Sequence, residues 1–471
     1  MVFSSNVFLF LFLPVFLAVY YLTPFRWRSI VILVGSYAFY GWWRPDFLLL
    51  FGGVTLWCFL ASHLIVRGQQ RGNERLATGA MAAGVTGALG ALAYFKYFGF
   101  GIDNFNQLLA SMGMAPLSFA HVILPIGISF YTFQAISYVV DVWRRDADPA
   151  DNFWDFSAFI GLFPQLVAGP VLRYKDMADQ FRSREHSLAR FSQGSTRLMV
   201  GFCKKVLIAD SVAPLVNATF EQADPTMAES WLAAAAYTIQ LYYDFSGYSD
   251  MAIGLGLMMG FSFGENFDHP YISRSITEFW RRWHISLSSW LRDYLYIPLG
   301  GNRLGPRRTY VNLLLTMLLG GLWHGAAWTF VLWGAWHGAF LALERRWTHK
   351  VAGTRLGPRL GLPLTLLVVI VGWVMFRSAT PGDAFDIYRG MIGLNGLAMS
   401  DAVAWQIRGW QLCSLSLGVA LVFLAPLLQR LRRERPGTVL VRLDLIFIPL
   451  FLVAVLRLAA QSYSPFLYFQ F

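Results

Sequence analysis

Charge is scarce in this chain: Asp, Glu, Lys and Arg supply 14% of 471 residues, whereas 56% are hydrophobic and 17% aromatic. That balance excludes a soluble globular domain, in which about a quarter of the residues are charged. Cysteine is scarce as well. Cys58, Cys203 and Cys413 are scattered without CxxC spacing, which excludes a disulfide framework and a thiolate metal site. There is no Gly-rich phosphate loop, no metal-spaced cluster and no G-x-S-x-G elbow. Low-complexity tracts and convincing internal repeats are missing too. The opening run, MVFSSNVFLFLFLPVFLAVYYL, lacks both a basic stretch before it and a small-residue cleavage site after it. It therefore reads as a retained first helix and not as a removable signal peptide.

What the chain has in abundance is apolar runs, among them Val7 to Leu22, Phe47 to Val66, Leu76 to Phe95 and Leu443 to Leu456. A bilayer takes roughly 20 apolar residues per crossing helix. Length and hydropathy thus predict one all-α polytopic membrane domain over residues 1–471, with roughly ten or more helices. The net charge of +11 would raise nucleic acid as a partner in a soluble protein. Here the basic residues fall in short loops, at Arg26 to Arg28, Arg67 to Arg75, Arg173 to Lys205, Arg345 to Arg359 and Arg430 to Arg442. This is the positive-inside pattern of cytoplasmic loops, so the expected surroundings are membrane lipid and no nucleic acid. The stretches Glu221 to Glu229 and Phe98 to Ser118 hold acids and no Lys or Arg, which fits the outer face.

Two segments break the alternation of sides. Phe153 to Leu172 is flanked by basic residues on both sides and is interrupted by Pro164, Gly169 and Pro170. Proline removes a backbone donor from a helix, so a broken or re-entrant segment is expected there. Val311 to Leu343 is likewise flanked by arginines and is too long for one crossing, with Gly320 and Gly321 as the expected break. Broken backbone at membrane depth is tolerated only where protein buries it or a wet cavity receives it. These segments are therefore where a site is expected.

His324 lies in GGLWHGAAW, inside an apolar run. An ionisable group at that depth is a functional candidate, and a neutral imidazole can take a hydroxyl proton and return it. A packing histidine bonded to a carbonyl would look the same in sequence. His337 sits in a second WHG triplet, which on a continuous helix would place it roughly 20 Å from His324. On that premise the two do not share a site, and His337 falls near the cytoplasmic interface. The stretch SRSITEFWRRWHISLSSWLRDYLYIPLGGNR opens with Ser275 and Glu278 in capping-box spacing. A helix from there puts Trp280, His284, Leu287 and Leu291 on one face, with Arg281, Arg282, Arg292 and Asp293 making it amphipathic. An interfacial helix and a helix presenting His284 to a buried site are both consistent with that pattern. Asp244 and Asp250, in YYDFSGYSDMAIG, must pair or face water, or else bond locally around a helix break. Trp280, Trp323 and Asp244 are candidate substrate-binding residues.

These motifs, together with LPIGISF (124–130), FPQLVAGP (163–170), the ENFDHPYISRSITEFWRRWHISLSSWLRDYLYIPLGGNR block and GGLWHG, closely resemble the membrane-bound O-acyltransferases. The resemblance runs from the first residues to about Phe376 and includes the closing PFLYFQF; Ser378 to about Arg457 carries nothing diagnostic. Within the family it points to members that acetylate alginate. It implies a ring of helices around a thinned centre, with a tunnel joining a cytoplasmic acyl donor to an extracytoplasmic acceptor. It implies that His324 is catalytic, activating the acceptor hydroxyl, with His284 as a second family histidine that assists or positions. Acetyl-CoA is the implied donor substrate, with no permanently bound cofactor and no metal. The implied partners are periplasmic acetyltransferase proteins, through which the polysaccharide is met, and the implied location is the bacterial inner membrane. Two other readings stay open at this point: the same chemistry on acetylated cellulose or another exopolysaccharide, and a transporter or export channel, although the polar tracks and repeat symmetry of a transporter are missing.

Overall fold

A computed structural model describes residues 1–351, 357–434, 445–460 and 467. Parts of the basic loops 345–359 and 430–442, and most of the closing PFLYFQF, lie outside them. The described residues are helical, with no strand among them. Four helical stretches, Phe47–Gln70, Glu74–Ser111, Leu360–Arg377 and Gly409–Leu431, are long and apolar enough to cross a membrane. Phe8–Leu22 and Phe447–Ala460 are shorter apolar helices. The chain divides into two compact units, residues 1–192 with 255–263, and residues 193–254 with 264–471.

The first unit is built from α1 (Leu13–Leu22), α2 (Arg28–Gly41), α3 (Phe47–Gln70), α4 (Glu74–Ser111), α5 (Ile128–Arg144), α6 (Phe153–Gly161), α7 (Phe163–Leu166) and α8 (Tyr174–Arg182). α3 and α4 form a hairpin whose turn is written in the sequence. Gly72 takes the left-handed conformation (φ 65°), and the Asn73 side chain then caps α4 by accepting from the Leu76 N–H at 3.0 Å. α6 ends at Leu162, and α7 restarts with Pro164 in its first turn. The expected interruption of Phe153 to Leu172 is therefore present, and protein side chains satisfy the freed backbone groups. Ser36 Oγ accepts from the Phe163 N–H at 3.1 Å, and Gln165 Nε2 donates to the Phe159 carbonyl at 2.8 Å. Every residue from Phe156 to Leu172 is buried, as membrane-depth irregular backbone requires. LPIGISF meets this break. Gly127, with φ 75°, starts α5, and a methyl on it would come within 2.5 Å of the Leu166 carbonyl oxygen.

α9 (Leu188–Cys203) leads into the second unit, which holds α10 (Asp210–Phe220), α11 (Met227–Met258), α12 (Ile276–Arg282), α13 (Ile285–Leu291), α14 (Gly305–His324), α15 (Trp328–Val351), α16 (Gly357–Arg377), α17 (Pro381–Met391), α18 (Asp401–Ala404), α19 (Gly409–Glu434) and α20 (Phe447–Ala460). α9 and α11 touch backbone to backbone at Gly201 with Gly247 and at Gly194 with Gly254, where any side chain would collide. Small residues permit such approach between membrane helices. α14 and α15 form a second close hairpin. A methyl on Gly321 would overlap the Phe330 carbonyl, and one on Gly334 the Met317 carbonyl. The expected break in Val311 to Leu343 exists, but it lies at Gly325, which is extended (φ −158°, ψ 151°). Gly320 and Gly321 remain helical because their role is close packing.

The Gly127 contact yields a stability test. Gly127→Ala should lower the melting temperature in detergent, by a destabilisation of about 1–3 kcal/mol from the left-handed conformation and the Leu166 overlap. Gly90→Ala, in mid-α4 with nothing within 4 Å, should leave the melting temperature unchanged or raise it. Equal loss in both would show that helix flexibility, and not the Gly127 contact, matters.

Candidate active site

His324 is the last residue of α14, and the fold-back at Gly325 fixes it there. Its ring packs edge-on to Trp323 (5.0 Å between centroids), Trp333 (5.2 Å) and Phe376 (5.2 Å). On one side it lines a cavity of about 740 Å³. The deep wall is Trp280, Leu287, Leu291, Met317 and Trp333, and the exposed Arg281, Arg292 and Arg345 stand at the other end. On the other side His324 and Trp333 border a void of about 10 Å³, closed by Leu241, Phe245, Trp283, Trp373 and Phe376, about the space of one water. His324 and Trp333 thus stand between a large apolar cavity and a small void.

Ser275 caps α12 as expected, its Oγ accepting from the Glu278 N–H at 3.0 Å, while the Glu278 carboxylate reaches back to the Arg274 N–H at 2.8 Å. Glu344 of α15 holds the same helix start, accepting from the Ile276 N–H at 2.6 Å. The helix does not continue through His284. α12 stops at Arg282, and His284 takes a left-handed conformation (φ 44°) before α13 begins. The expected single face of Trp280, His284, Leu287 and Leu291 is therefore corrected. Trp280, Leu287 and Leu291 line the cavity, whereas His284 turns into the interior, against Phe245 (4.7 Å) and Trp323 (6.1 Å).

Asn266 holds His284 in place. Its side-chain oxygen lies 3.1 Å from His284 Nδ1 and accepts from Ser286 Oγ at 2.8 Å, its carbonyl accepts from the Ile285 N–H at 2.9 Å, and its amide donates to Ser249 Oγ at 3.0 Å. With Nδ1–H donating, Nε2 carries the lone pair, and it is buried without a protein partner. Sequence reading passed over Asn266, although it stands in the ENFDHP motif. Its signal was an amide set among Phe261, Phe263 and Phe267.

The premise that separated the two histidines is overturned. His337 packs on Trp333 at 5.1 Å, the indole that His324 also touches, because the chain folds back between them. His337 is fully buried among Phe279, Trp280, Trp333 and Trp373, with both ring nitrogens unpartnered. It does not line the cavity. Trp323 is buried and bridges His284 to His324. Asp244 lies outside the cavity too. α11 is unbroken around it, and its carboxylate pairs with Lys205 Nζ at 2.6 Å and accepts from the Leu467 N–H at 3.0 Å. Asp250 pairs with Lys204 (2.6 Å) and Arg197 (2.8 Å). Both acids pair, as acids in an apolar context must. Among the described residues no group of three His, Cys, Asp or Glu side chains is placed to hold a metal ion.

A buried imidazole at an apolar cavity with exposed arginines, in a chain with helices long and apolar enough to cross a membrane, defines a membrane-integral group-transfer enzyme. The chain belongs to the membrane-bound O-acyltransferase family (MBOAT), whose family model matches residues 118–380, and it is an O-acyltransferase. It is 51% identical to a probable alginate O-acetylase AlgI of Pseudomonas putida and 50% identical to that of Azotobacter vinelandii, each over the full length of both chains. It is also 33% identical to the peptidoglycan O-acetyltransferase of Helicobacter pylori, over 85% of this chain and 81% of that one.

The geometry separates the histidines by experiment. His324→Ala should lower acyl transfer about 100-fold to 10,000-fold, the range for losing a general base, while the protein still accumulates in the membrane. His337→Phe should keep the melting temperature and measurable transfer, since it preserves the ring contacts and removes two unpartnered nitrogens. His337→Ala opens a hole and should cost about 2–5 kcal/mol. Complete loss of transfer in both His324→Ala and a stably folded His337→Phe would mean that the proton path runs through both rings.

Proposed function

We propose that the chain takes acetyl groups from a cytoplasmic donor, acetyl-CoA, and passes them across the bacterial inner membrane for O-acetylation of exported alginate. The observation that carries this reading is the position of His324 at the inner end of an apolar cavity whose mouth bears Arg281, Arg292 and Arg345. Arginines at a membrane face mark the cytoplasmic side, and guanidinium forks suit phosphate groups. A donor with phosphates at the mouth would lay its apolar thioester arm along Trp280, Leu287, Leu291 and Met317, toward His324. The ring of roughly ten or more helices around a central tunnel belongs to this reading.

The chemistry then follows from the imidazole. A His324 nitrogen accepts the proton of the acceptor hydroxyl as that oxygen attacks the thioester carbonyl. The C–O bond forms, the C–S bond breaks, and the proton passes to the departing thiolate. Burial by Trp323, Trp333 and Phe376 excludes the water that would hydrolyse the thioester. His284, fixed by Asn266, positions Trp323 and through it His324. Trp280 contacts the donor arm, while Trp323 and Asp244 would act on substrate only through their neighbours. The acceptor approaches from the small chamber's side, carried by a periplasmic acetyltransferase partner that meets the polymer. Alginate is preferred to peptidoglycan because relatives near 50% identity over their whole length carry the alginate name.

Purified protein with acetyl-CoA labelled in its acetyl carbon tests the reading. Label should reach the acceptor in the presence of the periplasmic partner, and Arg281→Ala with Arg292→Ala should raise KM for the donor about tenfold or more while changing kcat less. Transfer that proceeds equally from a donor without phosphates would remove the role given to the mouth. No transfer from any thioester would refute a cytoplasmic thioester donor.

A further inference from the structure

In the first unit a group of cations is gathered without anions. Arg28, at the start of α2, and Arg184, in the loop after α8, flank one ring: their guanidiniums lie 6.0 and 5.0 Å from the centroid of Phe25. Arg28 also stands over Tyr20 (4.9 Å), and Arg184 over Phe261 (4.4 Å). His186 joins them, its Nε2 being 3.0 Å from both Arg28 Nη1 and the Tyr20 hydroxyl. That hydroxyl donates to the Met259 carbonyl at 2.7 Å.

The local acids are spent on other arginines. Arg182 takes Asp151 at 3.0 Å, and Arg190 takes Glu185 at 3.8 Å. No carboxylate among the described residues forms an ion pair with Arg28 or Arg184. Carbonyls take part of their donors, Arg28 Nε reaching Thr23 O at 3.1 Å and Arg184 Nη1 reaching Gln180 O at 3.0 Å. Arg184 Nε and Nη2 are buried and have no partner. Burial holds the Arg184 guanidinium below its ordinary value, and the Arg28 charge adds to that against the opposing influence of Tyr20 and Asp155. Burial also lowers His186, with Arg28 and Arg184 adding to the effect. Two like charges packed around one phenyl ring, with forked donors left over, are satisfied by an oxyanion bridging them.

We propose that Arg28, Arg184 and His186 form a binding site for a phosphate-type oxyanion, carried either by an acidic phospholipid headgroup or by a free phosphate. Arg26 to Arg28 and the stretch Arg173 to Lys205, which carries α8 and α9, are both basic segments of the kind found at the cytoplasmic face, where acidic headgroups are abundant and basic pockets between helices retain them. Phe25 and the exposed Leu22 give acyl chains an apolar surface beside the cations.

The test uses the full-length protein in detergent, by native mass spectrometry after mixing with phosphatidylglycerol or phosphatidylcholine, and by thermal melting with sodium phosphate against sodium chloride at equal ionic strength. If the headgroup is the source, wild type retains phosphatidylglycerol over phosphatidylcholine, and R28Q and R184Q each reduce that retention about tenfold, the effect of losing one charge-assisted bond. If free phosphate is the source, phosphate raises the melting temperature of wild type and not of the variants. No lipid preference together with no phosphate shift in wild type overturns the site, as does a preference that both variants keep. Should the glutamine variants fail to accumulate, R184K keeps the charge without the fork, and unchanged retention in it overturns the bridging geometry.

Discussion

The candidate site depends on one contact, the backbone-to-backbone approach of α14 and α15 at Gly321 and Gly334. Each glycine sits beneath a carbonyl of the opposite helix, Phe330 and Met317 respectively, with no room for a β-carbon. Helices this close gain dispersion along the whole interface and Cα–H···O contacts at the crossing. The approach in turn forces the reversal at Gly325, where a side chain would strike the Phe330 ring. His324 is thereby held as the last helical residue, facing the start of the returning helix. Trp333, in the second turn of α15, becomes the wall shared by the cavity, the small void and both histidines. Widening the hairpin by one methyl would move all of these together.

Polar groups are distributed around this region in two ways. Beside α11, charge is matched to charge: Lys205 is buried between Asp210 and Asp244, each at 2.6 Å. A buried pair of this kind adds little net stability, but removing one member leaves a costly unpaired charge, so the network ties α11 to the chain after α9. Behind the cavity wall the matching fails. His337, the indole nitrogens of Trp280 and Trp333, and His284 Nε2 are buried with no protein partner. Each such group costs about 1–3 kcal/mol. Three of these residues, Trp280, Trp333 and His337, pack on one another behind the cavity wall.

Much of this was legible in the sequence, for reasons that differ from residue to residue. Pro164 is followed closely by Gly169 and Pro170, and that cluster placed the interruption at Leu162, whereas the single prolines Pro214, Pro363 and Pro426 sit inside continuous helices. Glycine is ambiguous, because it serves both breaks and close packing, and Gly320 and Gly321 were mistaken for the former when Gly325 was the break. The periodic argument for Trp280, His284, Leu287 and Leu291 held for the three residues in regular helix and failed at the one with positive φ, which no spacing reveals. His324 stood out because an ionisable group in an apolar run has few explanations. The partners of Asp244 and Asp250 were hidden, since Lys204, Lys205 and Arg197 come from about forty to fifty residues earlier in the chain, brought near by tertiary packing alone.

The left-handed conformation of His284 closes the argument about the site. A non-glycine residue at φ 44° is disfavoured by roughly 1–2 kcal/mol, and His269, at φ 47°, repeats that disfavour at the other end of the same segment. The segment between them carries α12, and with it Trp280 and Arg281 of the cavity wall. Such strain persists only where the surroundings over-determine the backbone, and Asn266 does so by binding the backbone on the C-terminal side of His284 as well as its ring. Since the same amide fixes the turn and the imidazole, the wall of the cavity cannot shift without turning His284. The ring of His284 is thereby kept in one orientation, packed against Phe245 and Trp323.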